Sequence, residues 1–201
     1  MLVFRTVLDT RTVRKEATRA RILEAAWELA RRDGLAALSF REVAAAVGMR
    51  APSLYTYFDS KNDLYDAMYA ETAEMVAKVI RDGAVGSTPK DRLRSGMHAF
   101  VAFFAADPAR YQLLVERPVP GFVPRPESFA VSRETFAATI ATDLAALQIT
   151  GERATNLWRA ITTGLLTQQI ANDPGGDGWT SLVDEAFDMY MTHQERKGKK
   201  R

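Results

Sequence analysis

Residues 39–58 read Ser39-Phe-Arg-Glu-Val-Ala-Ala-Ala-Val-Gly-Met-Arg-Ala-Pro-Ser-Leu-Tyr-Thr-Tyr-Phe58, and this stretch decides the fold. Ser39 followed by Glu42 marks a capped helix start: the hydroxyl accepts from the N–H three residues on, and the acid reaches back. The helix so begun runs from Phe40 to Val47 and stops at Gly48, because glycine takes the left-handed backbone of a helix end without steric cost. A second helix starts after Arg50 and extends to about Phe58. Pro52 sits in its first turn, where a missing N–H breaks no bond. Phe40, Val43, Val47, Leu54 and Phe58 form one apolar set. Ala44 is small enough for the two helices to cross closely. Two short helices joined by Gly48-Met49-Arg50 make a helix-turn-helix, whose second helix lies in the major groove of DNA.

Working outward, Ile22, Leu23, Ala26, Trp27 and Ala30 recur at three- and four-residue spacing, which predicts an amphipathic helix from Thr18 to Arg32, stopped by Gly34. Residues 1–15 lack that pattern and read as a flexible basic arm. Its Arg11, Arg14 and Lys15 either reach a minor groove or stay solvated. Downstream, Ser60 caps a fourth helix through about Asp82. Further helices are expected over 90–106, 108–116, 127–147, 151–172 and 179–194, separated by proline- and glycine-rich breaks. No segment alternates in the manner of a strand. The expected class is all-α, with about nine helices. The expected division is the arm at 1–15, a helix-turn-helix domain at 16–64, a larger helical domain at 65–195 and a basic tail at 196–201.

Composition narrows the function. The 201 residues are 47% hydrophobic and 26% charged, with no cysteine. Disulfides and thiol chemistry are thereby excluded. No apolar run approaches the ~20 residues that span a bilayer, and no signal peptide is evident. A cytoplasmic protein without membrane contact is expected. Residues 1–61 carry 11 Lys/Arg against 7 Asp/Glu, whereas residues 62–195 carry 11 against 18, and the tail has 5 basic residues and no acid. A basic head on an acidic body suits a polyanionic partner. With two histidines (His98, His193), no metal-ligand cluster, no phosphate-cradling glycine loop and no nucleophile motif, neither an enzyme nor a cofactor or metal is expected.

The residues Arg21-Ile-Leu-x-Ala25-Ala26, Gly34, Ser39-Phe-Arg-Glu-Val-Ala44, Val47-Gly-Met49, Leu54-Tyr-x-Tyr-Phe58 and Ser60-Lys61-x-x-Leu64, in that order and spacing, resemble the TetR family of transcriptional regulators. The resemblance implies roles for a set of DNA-facing residues. Arg41 meets phosphate or pairs with a guanine edge. Ser53 and Thr56 offer hydroxyls, and Tyr55 and Tyr57 lie near the phosphate backbone. Lys61, at the start of the fourth helix, meets phosphate where helix N–H groups also favour an anion. Arg50 departs from the pattern by replacing a small capping residue, which weakens the cap and adds a cation. Beside Pro52, Ala51 supplies only an apolar surface for a thymine methyl.

For the larger domain the resemblance implies ligand binding and dimerisation. Met97, Phe100, Phe104, Tyr111, Phe136 and Trp158 supply apolar bulk for a cavity, with His98, Thr162 and Gln169 as polar liners, so a small and largely apolar effector is expected. Trp158, Leu165, Leu166, Leu182, Phe187 and Tyr190, on the last two helices, are the expected dimer interface. The implied function is a ligand-responsive repressor that binds a palindromic operator as a homodimer, with recognition helices ~34–36 Å apart. The alternative is a helical small-molecule-binding or scaffold protein without sequence-specific DNA binding.

Overall fold

The helical periodicity of the sequence is realised throughout, and no strand occurs among the described residues. The structure is a computed structural model that describes residues 10–198, apart from the side chains of residues 10, 131–137, 139 and 198. The described residues form α1 (Thr10–Asp33), α2 (Phe40–Ala46), α3 (Ala51–Leu54), α4 (Lys61–Gly83), α5 (Pro89–Ala106), α6 (Pro108–Tyr111), α7 (Pro126–Ala146), α8 (Glu152–Asn172) and α9 (Val183–Gly198). Single 3-10 turns occupy Leu35–Ala37 and Thr180–Leu182, and a π-helical turn, Gln112–Glu116, follows α6. No described helix is long and apolar enough to cross a membrane.

Several boundaries differ from expectation. Helix α1 begins at Thr10, not Thr18, so residues 10–15 of the expected arm are helical; residues 1–9 lie outside the described residues. Its first two turns have no apolar stripe to announce them, but they contain Arg, Lys, Glu and Ala, all good helix formers, and no breaker. Helix α3 ends at Leu54 and gives way to a turn, in which the N–H groups of Tyr57 and Phe58 both donate to the Leu54 carbonyl at 2.8 and 3.0 Å. At the other end, α9 runs to Gly198, taking in part of the expected basic tail; residues 199–201 lie outside the described residues.

The chain divides into two units: residues 1–68 with 118–123, and residues 69–117 with 124–201. In the first, Ile22, Ala26 and Trp27 of α1 are buried together with Val43, Ala44 and Leu54 of the helix pair. Each large side chain buried there contributes about 1.5–3 kcal/mol. The second is organised on α5. Its Met97, Phe100, Val101 and Phe104 belong to one buried cluster with Leu144 of α7 and Trp158 of α8. A capping box starts α5: the Asp91 N–H donates to Thr88 Oγ1 at 3.1 Å, and the Thr88 N–H to Asp91 Oδ2 at 3.2 Å. Two arginines then fasten α5 to its neighbours. Arg92 Nε donates to Asp143 of α7 at 3.1 Å, and Arg94 bridges Asp184 and Asp188 of α9.

Candidate nucleic-acid interface and effector cavity

The helix-turn-helix is held by local chemistry that the sequence announces. The Glu42 N–H donates to Ser39 Oγ at 3.3 Å, and the Ser39 hydroxyl in turn donates to the Glu42 carboxylate. Gly48 has φ 73°, the left-handed conformation that turns the chain out of α2, and the Met49 N–H then folds back on the Ala44 carbonyl at 2.8 Å. Arg50 stands at the N-cap of α3, and no side chain caps that helix. Ser60 caps α4, accepting from the Asp63 N–H at 3.1 Å.

The nine residues expected to face DNA fall into two groups. Arg41, Arg50, Pro52, Tyr55 and Thr56 are exposed. Ala51, Ser53, Tyr57 and Lys61 are half-buried. Leu54 and Phe58, between them in sequence, point inward and are almost fully buried. Tyr55 packs its ring edge-on to Phe40 at 5.1 Å while remaining 57% exposed, so the ring is oriented and the hydroxyl edge stays outside. The Lys61 ammonium lies 3.4 Å from the Ala36 carbonyl and 5.4 Å from the centre of the Tyr65 ring, which aims a long side chain. Burial pushes the Tyr65 phenol up to about 12. It therefore stays protonated and donates to the Leu35 carbonyl, fixing α4 to the turn after α1.

One residue that escaped the sequence reading organises this surface. Arg19 of α1 donates through Nη1 to the Tyr57 carbonyl at 2.8 Å and lays its guanidinium 4.2 Å from the centre of the Phe58 ring. It clamps the turn that follows α3. The signal was hidden because Arg19 falls in the polar start of α1, which shows no apolar stripe. Arg11, Arg14 and Lys15 of the same start line a cleft with Thr56 and Tyr57. Basic side chains from α1 thus border the recognition segment.

In the second unit a cavity of about 270 Å³ opens among α4, α5, the π turn, α7 and α8. Its wall is mostly apolar, with Val76, Ile80, Phe100 and Leu114 prominent, and Arg117 and Arg159 are the charged residues among its described liners. Of the expected ligand residues, Phe100 and Thr162 line it. Thr162 spends its hydroxyl on the Trp158 and Arg159 carbonyls, both at 3.1 Å. Met97, Phe104 and Trp158 are buried in the surrounding core instead. Tyr111 is buried too, its hydroxyl 3.0 Å from the Thr163 carbonyl and 2.7 Å from Thr167 Oγ1.

Two polar candidates serve other purposes. His98 is half-exposed on the far face of α5, with Nε2 3.1 Å from Asp184 Oδ1. Arg94 first, and His98 second, hold the Asp184 carboxyl below its ordinary range. Gln169 is buried, and its carbonyl accepts from the N–H groups of Trp179 and Thr180 at 3.0 and 3.1 Å, so it shapes the turn into α9. The side chain of Phe136 lies outside the described residues.

The expected dimer residues need a larger correction. Trp158, Leu166, Phe187 and Tyr190 are at most 2% exposed within a single chain. Trp158 packs edge-on to both Phe187 and Tyr190, at 6.1 and 5.2 Å. They hold α8 to α9 of one protomer and are closed to a partner. Leu165 is half-buried, and Leu182 is 38% exposed. The apolar side chains α9 and its approach do offer to solvent are Trp179, Leu182 and Met189, the last 73% exposed.

Residues 22–68 match the family described as bacterial regulatory proteins, tetR family. Among relatives, the HTH-type transcriptional regulator Rv1816 of Mycobacterium tuberculosis H37Rv is 29% identical over 120 residues, 58% of this chain and 51% of its own. The HTH-type transcriptional activator FasR of Mycolicibacterium smegmatis is 30% identical over 103 residues, 51% of this chain and 47% of its own. The chain therefore spans about half the length of the curated relatives it matches. Among solved structures, SCO4313 superposes with a TM-score of 0.76 at 24% identity, covering 90% of this chain and 98% of that one. The TetR-family regulator PfmR of Thermus thermophilus gives 0.65 at 19% identity, covering 85% and 96%. These two likenesses concern the fold.

Proposed function

We propose that the chain, whose residues 22–68 match the tetR family of bacterial regulatory proteins, is a cytoplasmic transcriptional regulator of that family that binds a palindromic operator as a homodimer and releases it in response to a small effector. The observation that carries this reading is the surface of the helix-turn-helix. Arg41, Arg50, Tyr55 and Thr56 are exposed on a unit whose Val43, Leu54 and Phe58 are turned inward. Such a surface offers guanidinium forks for guanine or phosphate, hydroxyls for base edges, and an aromatic edge for the backbone.

Arg41, Arg50, Ser53 and Thr56 are assigned to base edges or adjacent phosphates, and Tyr55, Tyr57 and Lys61 to the backbone, with Ala51 and Pro52 making apolar contact. The cavity of the second unit is assigned to the effector. A ligand acts only through a difference in affinity between two conformers. The bound conformer is here one whose recognition helices no longer match successive major grooves. The dimer surface is assigned to the exposed side of α8 and α9, where Ala160, Gly164 and Met189 face solvent.

Binding to duplex DNA measured across a salt series tests the reading. Several phosphate contacts give an affinity that falls steeply, with log K linear in log salt. Failure to retain any fragment of the source genome at low salt refutes it, and leaves the alternative of a helical ligand-binding protein.

A further inference from the structure

The effector cavity carries a charge bias that composition alone does not suggest. Its wall is apolar, yet Arg117 stands at the end of the π turn and Arg159 on α8, and no Asp or Glu is found among its described liners. Arg117 is placed with care. Its backbone is left-handed, at φ 52°, and its N–H donates to the Gln112 carbonyl at 2.7 Å. Non-glycine residues adopt that conformation rarely, and where they do the surroundings over-determine it. The next residue is Pro118, which disfavours continuation of the helix through Arg117. The guanidinium carbon lies 4.9 Å from the centre of the Phe129 ring. The ring face attracts the cation and offers no oxygen acceptor, so the contact positions the fork while its N–H donors suit an oxygen partner.

We propose that this cavity takes an amphipathic anion, an apolar body with a single carboxylate or phosphate head, and that Arg117 holds the head. The proposal rests on the reading of the cavity as the effector site and deepens it. Arg117 is exposed at the edge of the cavity, so a neutral apolar ligand gains nothing from its fork and loses the fork's water wherever it covers it. An anionic head meets the arginine fork in the bidentate geometry that guanidinium groups favour. The phenylalanine beneath the fork and the aliphatic wall beyond it then receive the apolar body.

The test is calorimetric titration of the full chain with four probes sharing one alkyl tail: decanoate, decyl phosphate, decanol and decyltrimethylammonium. The anions should bind at least about tenfold more tightly than decanol, as expected of a charge-assisted bond, and the ammonium should bind more weakly still. Arg117→Gln should abolish the anions' advantage while leaving decanol unchanged, which also shows the cavity intact; Arg117→Lys should restore part of it. Which anion binds more tightly assigns the head as carboxylate or phosphate. Decanol binding as tightly as decanoate, or an advantage that survives Arg117→Gln, overturns the anion proposal but leaves the cavity as an apolar effector site. If none of the four binds, the effector-site reading falls with it.

Discussion

Arg41 and Lys61 carry the same charge in different settings, and the difference assigns them different work. Arg41 is exposed in the first turn of α2, with a planar fork that can match two acceptors on a guanine. Lys61 is half-buried and aimed by the Ala36 carbonyl and the Tyr65 ring, and its ammonium is a point charge suited to phosphate. Replacing Arg41 by Ala should cost about 1–3 kcal/mol on the preferred operator and relax selection at one base pair. Replacing Lys61 by Ala should weaken all duplexes alike and lower the salt slope by about one. Fluorescence anisotropy on the operator and its single-base variants, at several salt concentrations, separates the two. Equal, sequence-independent losses would remove the base-reading role from Arg41. Both residues were legible because they sit inside a motif of fixed spacing. Arg19 was not, because its role is to clamp the Tyr57 carbonyl from 38 residues away, and no local pattern encodes a contact of that separation.

At the scale of the element, the helix starts and stops of the helix-turn-helix were legible because side chains and a glycine do the capping. Ser39 and Ser60 each accept from the N–H three residues on, whereas the Thr88 capping box of α5 was read only as part of a break. Gly48 supplies the left-handed turn. Ser39→Ala should destabilise the protein by about 1 kcal/mol by leaving an end N–H unpaired. Gly48→Ala should cost about 1–2 kcal/mol, because a Cβ there meets no neighbour and the penalty is that of the left-handed backbone itself. Urea unfolding midpoints check both, and a neutral Gly48→Ala would mean that the turn relaxes to another conformation. Less legible were elements without caps. The start of α1 has only propensity behind it, and residues 108–116 read as one helix although they divide into α6 and a π turn. A π turn leaves no mark on apolar spacing over so few residues, so the strained Arg117 that it delivers to the cavity could not be foreseen.

At the scale of the whole molecule, apolar periodicity shows that a helix face is buried but not what buries it. Trp158, Leu166, Phe187 and Tyr190 have the spacing of an interface, and the structure shows that their own chain covers them. What remains for a partner is a band without large apolar residues on α8, with Ala160, Gly164 and Ala171 exposed at four- and seven-residue intervals, alongside Met189 of α9. Small residues let two helices approach closely, so a bulky side chain placed among them separates the partners while leaving each protomer intact. Gly164 is the position that isolates this effect. A Cβ there meets nothing within 4 Å in its own chain, and replacing a mid-helix glycine by leucine favours the helix by roughly 0.8 kcal/mol. Gly164→Leu should therefore keep or raise the melting temperature of the isolated protomer, yet shift sedimentation from dimer to monomer and weaken binding to a palindromic operator far more than to a half-site. Met189→Glu should act in the same direction by setting two like charges at the junction. If Gly164→Leu sediments as a dimer and binds the palindrome as the parent does, the exposed side of α8 is not the interface.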